Sequence, residues 1–385
     1  MTDTETPATT PAAAVRGGSG MGATPRRRPS RGLTTVLVAT VLLFVVGGLL
    51  DGASLSSTSL SGMLPVAAVL AVAGMGQMLV VQQGGIDLSV AGGISLAVVV
   101  VTHVPHGEDG RLLPAVLLAL VLALAAGLLN GVLIGLLGLN AIIATLGTNA
   151  LLYGVDLQVS GGRPRTTTPL LADLAGGTTL GIAHSVVAAV VLLAIVTTVL
   201  KATGAGRRFE AIGANPRAGA ALGLRVRRGR ISAYVAAQVL YCLAGILIAG
   251  ITAQPIAYAG DTFLLPSIAV VVLGGTSLLG GRGHPLATVV AAVFLQQLIT
   301  LVAILGASPA ISPLVQAAAL ALGVSLYTLD WRRLTALLPR RRPAVAVPAG
   351  CPRPRPHDHR PPRPGGPVGP ARPRTRLDDH HQEIS

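Results

Sequence analysis

Charged side chains are scarce in this chain. Asp, Glu, Lys and Arg make up 11% of its 385 residues, whereas 51% are hydrophobic. Soluble domains are about a quarter charged, so the composition excludes an ordinary soluble domain and predicts a polytopic membrane protein. Aromatic residues are also few, at 3%. The net charge of +14 therefore does not indicate nucleic-acid binding, because rings for base stacking are missing and the basic residues lie at the ends of apolar runs and in the terminal segments.

Cysteine and catalytic motifs are nearly absent as well. Cys242 lies in an apolar run and Cys351 lies near the C-terminus, which excludes a CxxC redox motif and argues against a disulfide. No Walker A, HExxH or GxSxG motif occurs. No apolar run carries the central Lys, Arg, Glu or His that is typical of proton relays. We therefore predict no catalytic residue, no metal site and no cofactor in this chain, which argues against an enzyme or a self-powered pump.

Long apolar runs, in contrast, are abundant. A transmembrane helix needs about 20 apolar residues, and ten runs approach that length. We predict an all-α fold of about ten transmembrane helices, although nine or eleven remain possible because two neighbouring runs are separated only by a turn at residues 138–140. The runs cover residues 33–50, 62–82, 88–104, 112–137, 139–158, 181–201, 231–251, 262–278, 284–306 and 311–329.

The two terminal segments differ in composition from the apolar centre. Residues 1–32 are rich in Thr, Ala, Pro and Gly, and residues 331–385 are rich in Arg and Pro. Such segments cannot bury enough apolar surface to fold. We predict a disordered basic arm over residues 1–32, a transmembrane domain over 33–330 and a disordered Arg/Pro-rich tail over 331–385.

A basic loop separates the sixth apolar run from the seventh. Residues 201–230 contain eight Lys and Arg residues. Because Lys and Arg near the ends of spans are retained on the cytoplasmic side, we expect this loop to lie in the cytoplasm. Ten crossings then place both termini in the cytoplasm too. The outer loops are short and leave no room for an extracellular domain.

The centre of the basic loop has the pattern of a short surface helix. Residues 207–222 combine apolar and basic positions, and Asn215-Pro216 predicts a break or a second helix start. Such a helix at a membrane surface is typical of a docking element for a cytosolic partner. A solvated basic loop explains the charge equally well.

Polar residues inside the apolar runs are candidates for function because burying them in a membrane is costly. Asp87 follows a possible break at Gly84-Gly85. It either caps a helix that begins at Leu88 or lines, with Gln83, the cytoplasmic end of a pathway. Most polar residues of this kind hydrogen-bond between helices. The candidate pathway residues are Gln77, Gln83, Asp87, Asn130, Thr145, Asn149 and Gln296.

Four segments carry a resemblance to a known family. They are GGIDLSVAGGISLA at residues 84–97, LGLNAIIATLGTNALLYGV at 137–155, FEAIGANPRAGAALGLRV at 209–226 and GGTSLLGGRGHPLAT at 274–288. In this order they resemble the permease subunits of ABC importers for ribose, xylose, galactose and related monosaccharides. The resemblance covers about residues 35–330. Permeases for branched-chain amino acids and for nucleosides share this architecture.

The resemblance implies a role and a set of partners. The chain would pair with a second copy as a homodimer in the lipid of the bacterial plasma (inner) membrane. A cytosolic ABC ATPase would hold ATP and Mg²⁺, and an extracytoplasmic sugar-binding protein would deliver the substrate. The segment 209–222 would be the coupling helix seated on the ATPase. The residues implied in ATPase coupling are Arg207, Arg208, Phe209, Glu210, Ala211, Ile212, Gly213, Asn215, Arg217 and Gly223.

Other functions remain open from the sequence. The chain resembles the family motif less well at Ala91, where glycine is usual. The alternatives are an ABC permease for branched-chain amino acids or nucleosides and an ion-driven secondary carrier. Because few aromatic residues lie in the apolar runs, we expect contact with the substrate to be weak and transient.

Overall fold

The computed structural model describes residues 31–308, 310, 311, 313–318 and 321. This part of the chain is almost entirely helical. Its strands are two residues each, and they pair antiparallel as a small hairpin. The helices are α1 (Arg31–Leu50), α2 (Ser57–Gln82), α3 (Val90–His103), α4 (Leu112–Gly135), α5 (Ala141–Ser160), α6 (Pro169–Gly176), α7 (His184–Ala202), α8 (Gly204–Ala214), α9 (Pro216–Ala221), α10 (Val226–Thr252), α11 (Asp261–Leu273) and α12 (Pro285–Ile304), and the strands are β1 (Thr178–Thr179) and β2 (Ile182–Ala183).

Seven of the described helices are long and apolar enough to cross a membrane, and two shorter apolar helices, α3 and α11, accompany them. This confirms the prediction of an all-α, multi-pass membrane protein. The two shorter helices end before the predicted runs 88–104 and 262–278 do. Most of the tenth predicted run, 311–329, lies outside the described residues, as do residues 1–30 of the predicted arm and the whole predicted tail.

The turn predicted between the fourth and fifth runs is present. Gly138 has a φ of +74°, which glycine adopts without strain. Asn140 then caps α5, because its side-chain oxygen accepts a hydrogen bond from the Ile142 N–H at 2.9 Å. A glycine turn followed by an asparagine cap thus separates α4 from α5 within five residues.

Helix α2 lies at the centre of the bundle. Every residue from 67 to 82 is buried, as expected of a helix that is apolar on all sides. Glycines on α2 allow the neighbouring helices to pack close to its backbone. A Cβ on Gly74 would lie 2.6 Å from Val270 of α11, and one on Gly76 would lie 2.7 Å from the Tyr241 ring of α10. Three other helices therefore pack around α2, since Thr288 of α12 also lies 3.1 Å from the Gly74 position.

A glycine stripe on α4 packs against α10, and small residues at a spacing of four are typical of close contacts between membrane helices. A Cβ on Gly127 would lie 2.6 Å from the Val235 Cα, and one on Gly131 would lie 2.9 Å from the Ile231 Cα. The backbones of the two helices are in contact at these points. Any side chain at either position would push the helices apart.

The loops gather at two ends of the bundle. At the basic end, Gly281 N–H donates to the Gln82 carbonyl at 2.8 Å, and the Gln83 side chain donates to the Phe209 carbonyl at 2.9 Å. At the opposite end, Thr167 N–H donates to the Ala253 carbonyl at 2.8 Å. The basic end carries Lys201, Arg207, Arg208, Arg217, Arg225, Arg227, Arg228, Arg230 and Arg282, and the opposite end carries Arg111, Arg163 and Arg165.

We predict that Gly127→Ala combined with Gly131→Ala will lower the stability of the protein, by about 1–3 kcal/mol, because the added methyl groups overpack the contact with α10. The matched control is Gly62→Ala in α2, where a Cβ meets nothing within 4 Å. Thermal unfolding in detergent, followed by size-exclusion chromatography, compares them. Equal melting temperatures for the double variant and the control would contradict the close contact of α4 with α10.

Candidate functional site

Two short helices, α8 and α9, form a corner at the basic end. The Thr203 hydroxyl accepts a hydrogen bond from Gly206 N–H at 3.1 Å and caps α8. The Asn215 side chain accepts one from Ala218 N–H at 3.0 Å and caps α9, with Pro216 as the first helical residue. The sequence predicted a short helix over 207–222; the structure begins it at Gly204, because Thr203 is a cap, and divides it at Asn215.

One face of α8 is fixed to the end of α2. A Cβ on Gly213 would lie 2.1 Å from the Gln82 carbonyl oxygen, so only glycine allows this approach. The loop after α11 closes the contact from the other side, since a Cβ on Gly281 would lie 2.6 Å from the Ala214 Cα. Ile212 is buried beside them. The backbones of α2, α8 and this loop therefore meet at one point.

Glu210 is held by an intramolecular ion pair. Its carboxylate accepts from the Lys201 ammonium at the end of α7, and each side chain is 29% exposed. This ion pair links α8 to α7, and the contact of Gly213 with Gln82 links α8 to α2. The predicted coupling residue Glu210 thus faces its own chain.

The other face of α8 and α9 is open. The predicted coupling residues on it are exposed. Across the described residues, the only ion pair at this end is that of Glu210 with Lys201, so the arginines have no acidic partner there. Leu222 is 80% exposed among them. The exposed coupling residues are Arg207, Arg208, Ala211, Asn215, Arg217 and Gly223, whereas Phe209 and Glu210 are half-buried and Ile212 and Gly213 are buried.

The loop after α11 adds a residue that the sequence reasoning missed. Leu279 is 94% exposed at the tip of a turn that Gly280 and Gly281 allow, with φ of +93° and +82°. Gly280 packs against Gly213, because a Cβ on Gly280 would lie 2.7 Å from the Gly213 carbonyl oxygen. The sequence did contain a signal for this residue, a pair of leucines between glycines. The count of spans puts this loop on the same side of the membrane as the basic loop. We call the exposed residues of α8 and α9 together with Leu279 the coupling surface.

Asp87 belongs to a buried polar cluster. Helix α3 begins at Val90, and Ser89 occupies its N-cap position, so the predicted helix start at Leu88 is wrong by two residues. The Asp87 carboxylate does accept a backbone hydrogen bond, from Ser89 N–H at 2.9 Å, and it also accepts from the Ser89 hydroxyl. The Ser89 oxygen accepts in turn from Asn130 at 2.8 Å and from Gln238 at 2.7 Å. Ser89 therefore joins α4 and α10 to the start of α3.

Gln77 closes this cluster from α2. In the amide orientation that satisfies its neighbours, the nitrogen donates to the Asp87 carbonyl at 3.1 Å and to the Tyr241 hydroxyl at 2.8 Å. The oxygen accepts from Asp87 N–H at 3.2 Å. Such an assignment follows from the hydrogen-bond network. The backbone on both sides of Asp87 is thereby held to the central helix.

Helix α5 supplies the acceptors that the uncapped start of α3 needs. The Thr145 hydroxyl accepts from Leu88 N–H at 3.0 Å, and the Asn149 side chain accepts from Gly92 N–H at 2.8 Å. Six of the seven predicted pathway residues thus make hydrogen bonds within the subunit. The seventh, Gln296, is half-buried on α12. Their role along a pathway stays a prediction.

A second cluster, also missed from the sequence, lies further along α5 towards the opposite end. The Tyr153 hydroxyl donates to the Asp261 carboxylate. The Tyr153 ring packs edge-on against Tyr258, with centroids 5.3 Å apart and planes at 86°. Asp156, one turn on, is buried, and its carboxylate has no hydrogen-bond partner among the described residues. Aromatic rings and acids that lie far apart in sequence meet here, so periodicity gave no signal.

Comparison with known proteins identifies the chain. Residues 59–324 match the family described as "Branched-chain amino acid transport system / permease component". The chain belongs to this family. The permease is 35% identical to the autoinducer 2 import system permease protein LsrC of Shigella flexneri over 266 residues. The aligned region covers 69% of this chain and 77% of LsrC.

Two further relatives are also permease proteins by name. A probable ABC transporter permease protein of Sinorhizobium fredii, y4mJ, is 30% identical over 259 residues, 67% of this chain and 77% of the relative. The ribose import permease protein RbsC of Haemophilus influenzae is 28% identical over 265 residues, 67% of this chain and 81% of the relative. No solved structure matches the permease. The resemblance noted from the sequence is confirmed, and the chain is a transport subunit without enzymatic activity.

We predict that Ser89→Ala will destabilise this permease, because it leaves the Asp87 carboxylate, Asn130 and Gln238 each short of one buried hydrogen bond. Each unsatisfied group costs about 1–3 kcal/mol. Ser232→Ala is the control, since the exposed Ser232 hydroxyl bonds only to the Gly229 carbonyl. Thermal unfolding of the purified proteins measures the difference, and a Ser89→Ala protein as stable as the control would refute the role of Ser89.

Proposed function

We propose that this chain is the membrane-spanning permease subunit of an ATP-driven importer for a monosaccharide or a similar polar metabolite. An extracytoplasmic binding protein delivers the substrate, and a cytosolic ABC ATPase binds ATP with Mg²⁺. The names of the relatives, which import autoinducer 2 and ribose, support this substrate class over branched-chain amino acids. The observation that carries the proposal is the coupling surface, a short helix pair fixed to the central helix on one side and open on the other.

The basic end faces the cytoplasm in this proposal. Among the side chains that the structure describes, nine of Lys and Arg lie at this end and three at the opposite end, and positive charge near the ends of spans is retained in the cytoplasm. The hairpin of β1 and β2 then lies outside the plasma membrane of a bacterium, and a total of ten crossings would leave both termini in the cytoplasm. Arg207 and Arg217, which are exposed on the coupling surface, then face acids of the ATPase.

The contact of Gly213 with Gln82 supports a mechanism for coupling. When the ATPase closes around ATP, it displaces α8. Since the Gly213 position has no free space towards α2, the displacement reaches α2, and from there the polar cluster at Asp87 through Gln77. Packed helices respond to such a push by rigid-body tilting, which produces alternating access.

The substrate path lies along α5, between this chain and a second identical copy. One side of α5 packs on α3, and its other side is exposed. Tyr153 and Tyr258 are half-buried beside the exposed Asp261, and they offer a ring face and a carboxylate to a polyhydroxylated ligand. Two such half-exposed rings suit brief contact, whereas a binding protein holds the sugar tightly. The six predicted pathway residues that make hydrogen bonds within the subunit then hold α5 and its neighbours in place for this passage, while Gln296 lies on α12.

We predict that Leu279→Asp will weaken association with the ATPase about tenfold or more, because it puts a charge into the apolar part of the interface. Leu180→Asp is the matched control. Leu180 is 97% exposed at the tip of the hairpin at the opposite end. Co-purification of the co-expressed cognate ATPase on the tagged permease measures association. Equal loss of ATPase in both variants, or in neither, would contradict the proposed coupling surface.

We also predict that Tyr153→Ala will slow substrate uptake about tenfold, a change of ~1.4 kcal/mol in the barrier, while the ATPase stays bound. Tyr153→Phe keeps the ring and loses only the hydroxyl bonded to Asp261, so it should be less impaired. Uptake of radiolabelled ribose into proteoliposomes with the ATPase and binding protein measures both. Full uptake by Tyr153→Ala would exclude this cluster from the path. Uptake without ATP and ATPase would instead favour a secondary carrier.

A further inference from the structure

A large groove opens between α7 and α10 at the basic end. Its volume is about 1080 Å³, and Leu79 of α2 lies at its floor. That is the size of a pocket for a large organic ligand. The groove is not part of the polar cluster at Asp87 or of the Tyr153 cluster, and the transport mechanism above does not use it.

The walls of the groove are apolar and long. Leu192, Val196 and Val199 line it from α7, and Val239 and Leu243 line it from α10. Leu192 precedes Lys201 by nine residues, which is about 14 Å of helix at 1.5 Å per residue. The hydrocarbon core of a bilayer is about 30 Å thick. The groove therefore extends from the basic end to about the middle of the bilayer, the depth of one acyl chain.

The mouth of the groove is cationic. Arg208 of α8 and Arg225 and Arg228 at the start of α10 line it, and all three are exposed. The described part of the chain gives none of them an ion pair. Glu210 does not compensate them, because it pairs with Lys201. Three uncompensated guanidinium groups thus surround the opening of an apolar slot.

We propose that this groove binds an anionic phospholipid of the inner leaflet, with the headgroup phosphate on Arg208, Arg225 and Arg228 and one acyl chain between α7 and α10. Guanidinium groups bind phosphate through two parallel hydrogen bonds. Basic pockets between transmembrane helices on the cytoplasmic side suit anionic headgroups. The assignment to the inner leaflet depends on the proposed function, which puts the basic end in the cytoplasm. The binding of the lipid to the groove does not depend on that orientation.

Other occupants fit the groove less well. The terminal segments of this chain are themselves rich in arginine and would be repelled by the mouth. Inorganic phosphate would leave the apolar walls empty, and so would an acidic side chain of the ATPase. A phospholipid satisfies both the charged mouth and the apolar walls.

A lipid in this position contacts the coupling segment directly. Phe209 and Ile212 of α8 also line the groove, and Ile212 directly precedes Gly213, the residue whose backbone meets Gln82. The bound lipid therefore holds α8 between α7 and α10. We expect anionic lipid to stabilise the coupling surface of the isolated permease.

The test is lipid binding to the full-length permease, purified in detergent without its ATPase. Native mass spectrometry counts bound dioleoylphosphatidylglycerol and dioleoylphosphatidylcholine. We expect retention of phosphatidylglycerol over phosphatidylcholine, and binding about tenfold weaker or more after Arg225→Gln with Arg228→Gln, since each basic residue contributes to attraction of an anionic headgroup. The charge-matched control is Arg217→Gln with Arg227→Gln, because neither residue lines the groove.

A second variant, Ala236→Phe, fills the groove and leaves its mouth intact, so it should also weaken phosphatidylglycerol binding. Thermal unfolding without lipid verifies that each variant is folded. Equal binding of the two lipids, equal loss in both arginine pairs, or full binding by Ala236→Phe would overturn the proposal. So would inorganic phosphate that raises the melting temperature as much as phosphatidylglycerol does. Since no ATPase is present, failure here is distinct from failure of the coupling surface.

Discussion

The contact of the Gly213 backbone with the Gln82 carbonyl is the constraint on which the rest of the structure depends. A Cβ at Gly213 would lie 2.1 Å from that oxygen, so no side chain is tolerated between α8 and α2. Because interiors are close-packed and bistable rather than continuously deformable, a helix seated this closely passes a displacement on. Helix α8 is therefore expected to move together with the central helix α2.

The polar cluster around Asp87 is the part of the membrane domain that a displacement of α2 would reach, because Gln77 of α2 bonds to the Asp87 backbone. Helix α2 ends at Gln82 and α3 begins at Val90, and three polar residues between them, Gln83, Asp87 and Ser89, are buried. Ser89 links the Asp87 carboxylate to Asn130 of α4 and Gln238 of α10 by hydrogen bonds. Breaking one of these bonds inside the protein would leave a buried polar group without a partner, which is costly. Movement of α2 against α4 and α10 therefore requires the cluster to move as a unit.

Local structural features could be predicted from the sequence, whereas contacts between residues far apart in the sequence could not. The seven long spans, the glycine turn before α5, the glycine stripe on α4 and the break at Asn215 follow from neighbouring residues, and the described residues have them. Helices α3 and α11 are shorter than the apolar runs that predicted them. Asn130 and Gln238 lie 41 and 149 residues from Ser89, and no local pattern shows that they converge. Leu279 joins the coupling surface through the packing of Gly280 on Gly213 and of Gly281 on Ala214. Tyr153 likewise meets Asp261 across 108 residues.

Labelling from the two sides of the membrane tests the central claim most directly. In a Cys351→Ser background, where the remaining Cys242 is buried, the matched variants are Leu279→Cys and Leu180→Cys. A membrane-impermeant maleimide applied to intact spheroplasts should modify Leu180→Cys, and it should modify Leu279→Cys only after permeabilisation. Labelling of Leu279→Cys in intact spheroplasts would place the coupling surface outside the cell and contradict its role as the seat of a cytosolic ATPase.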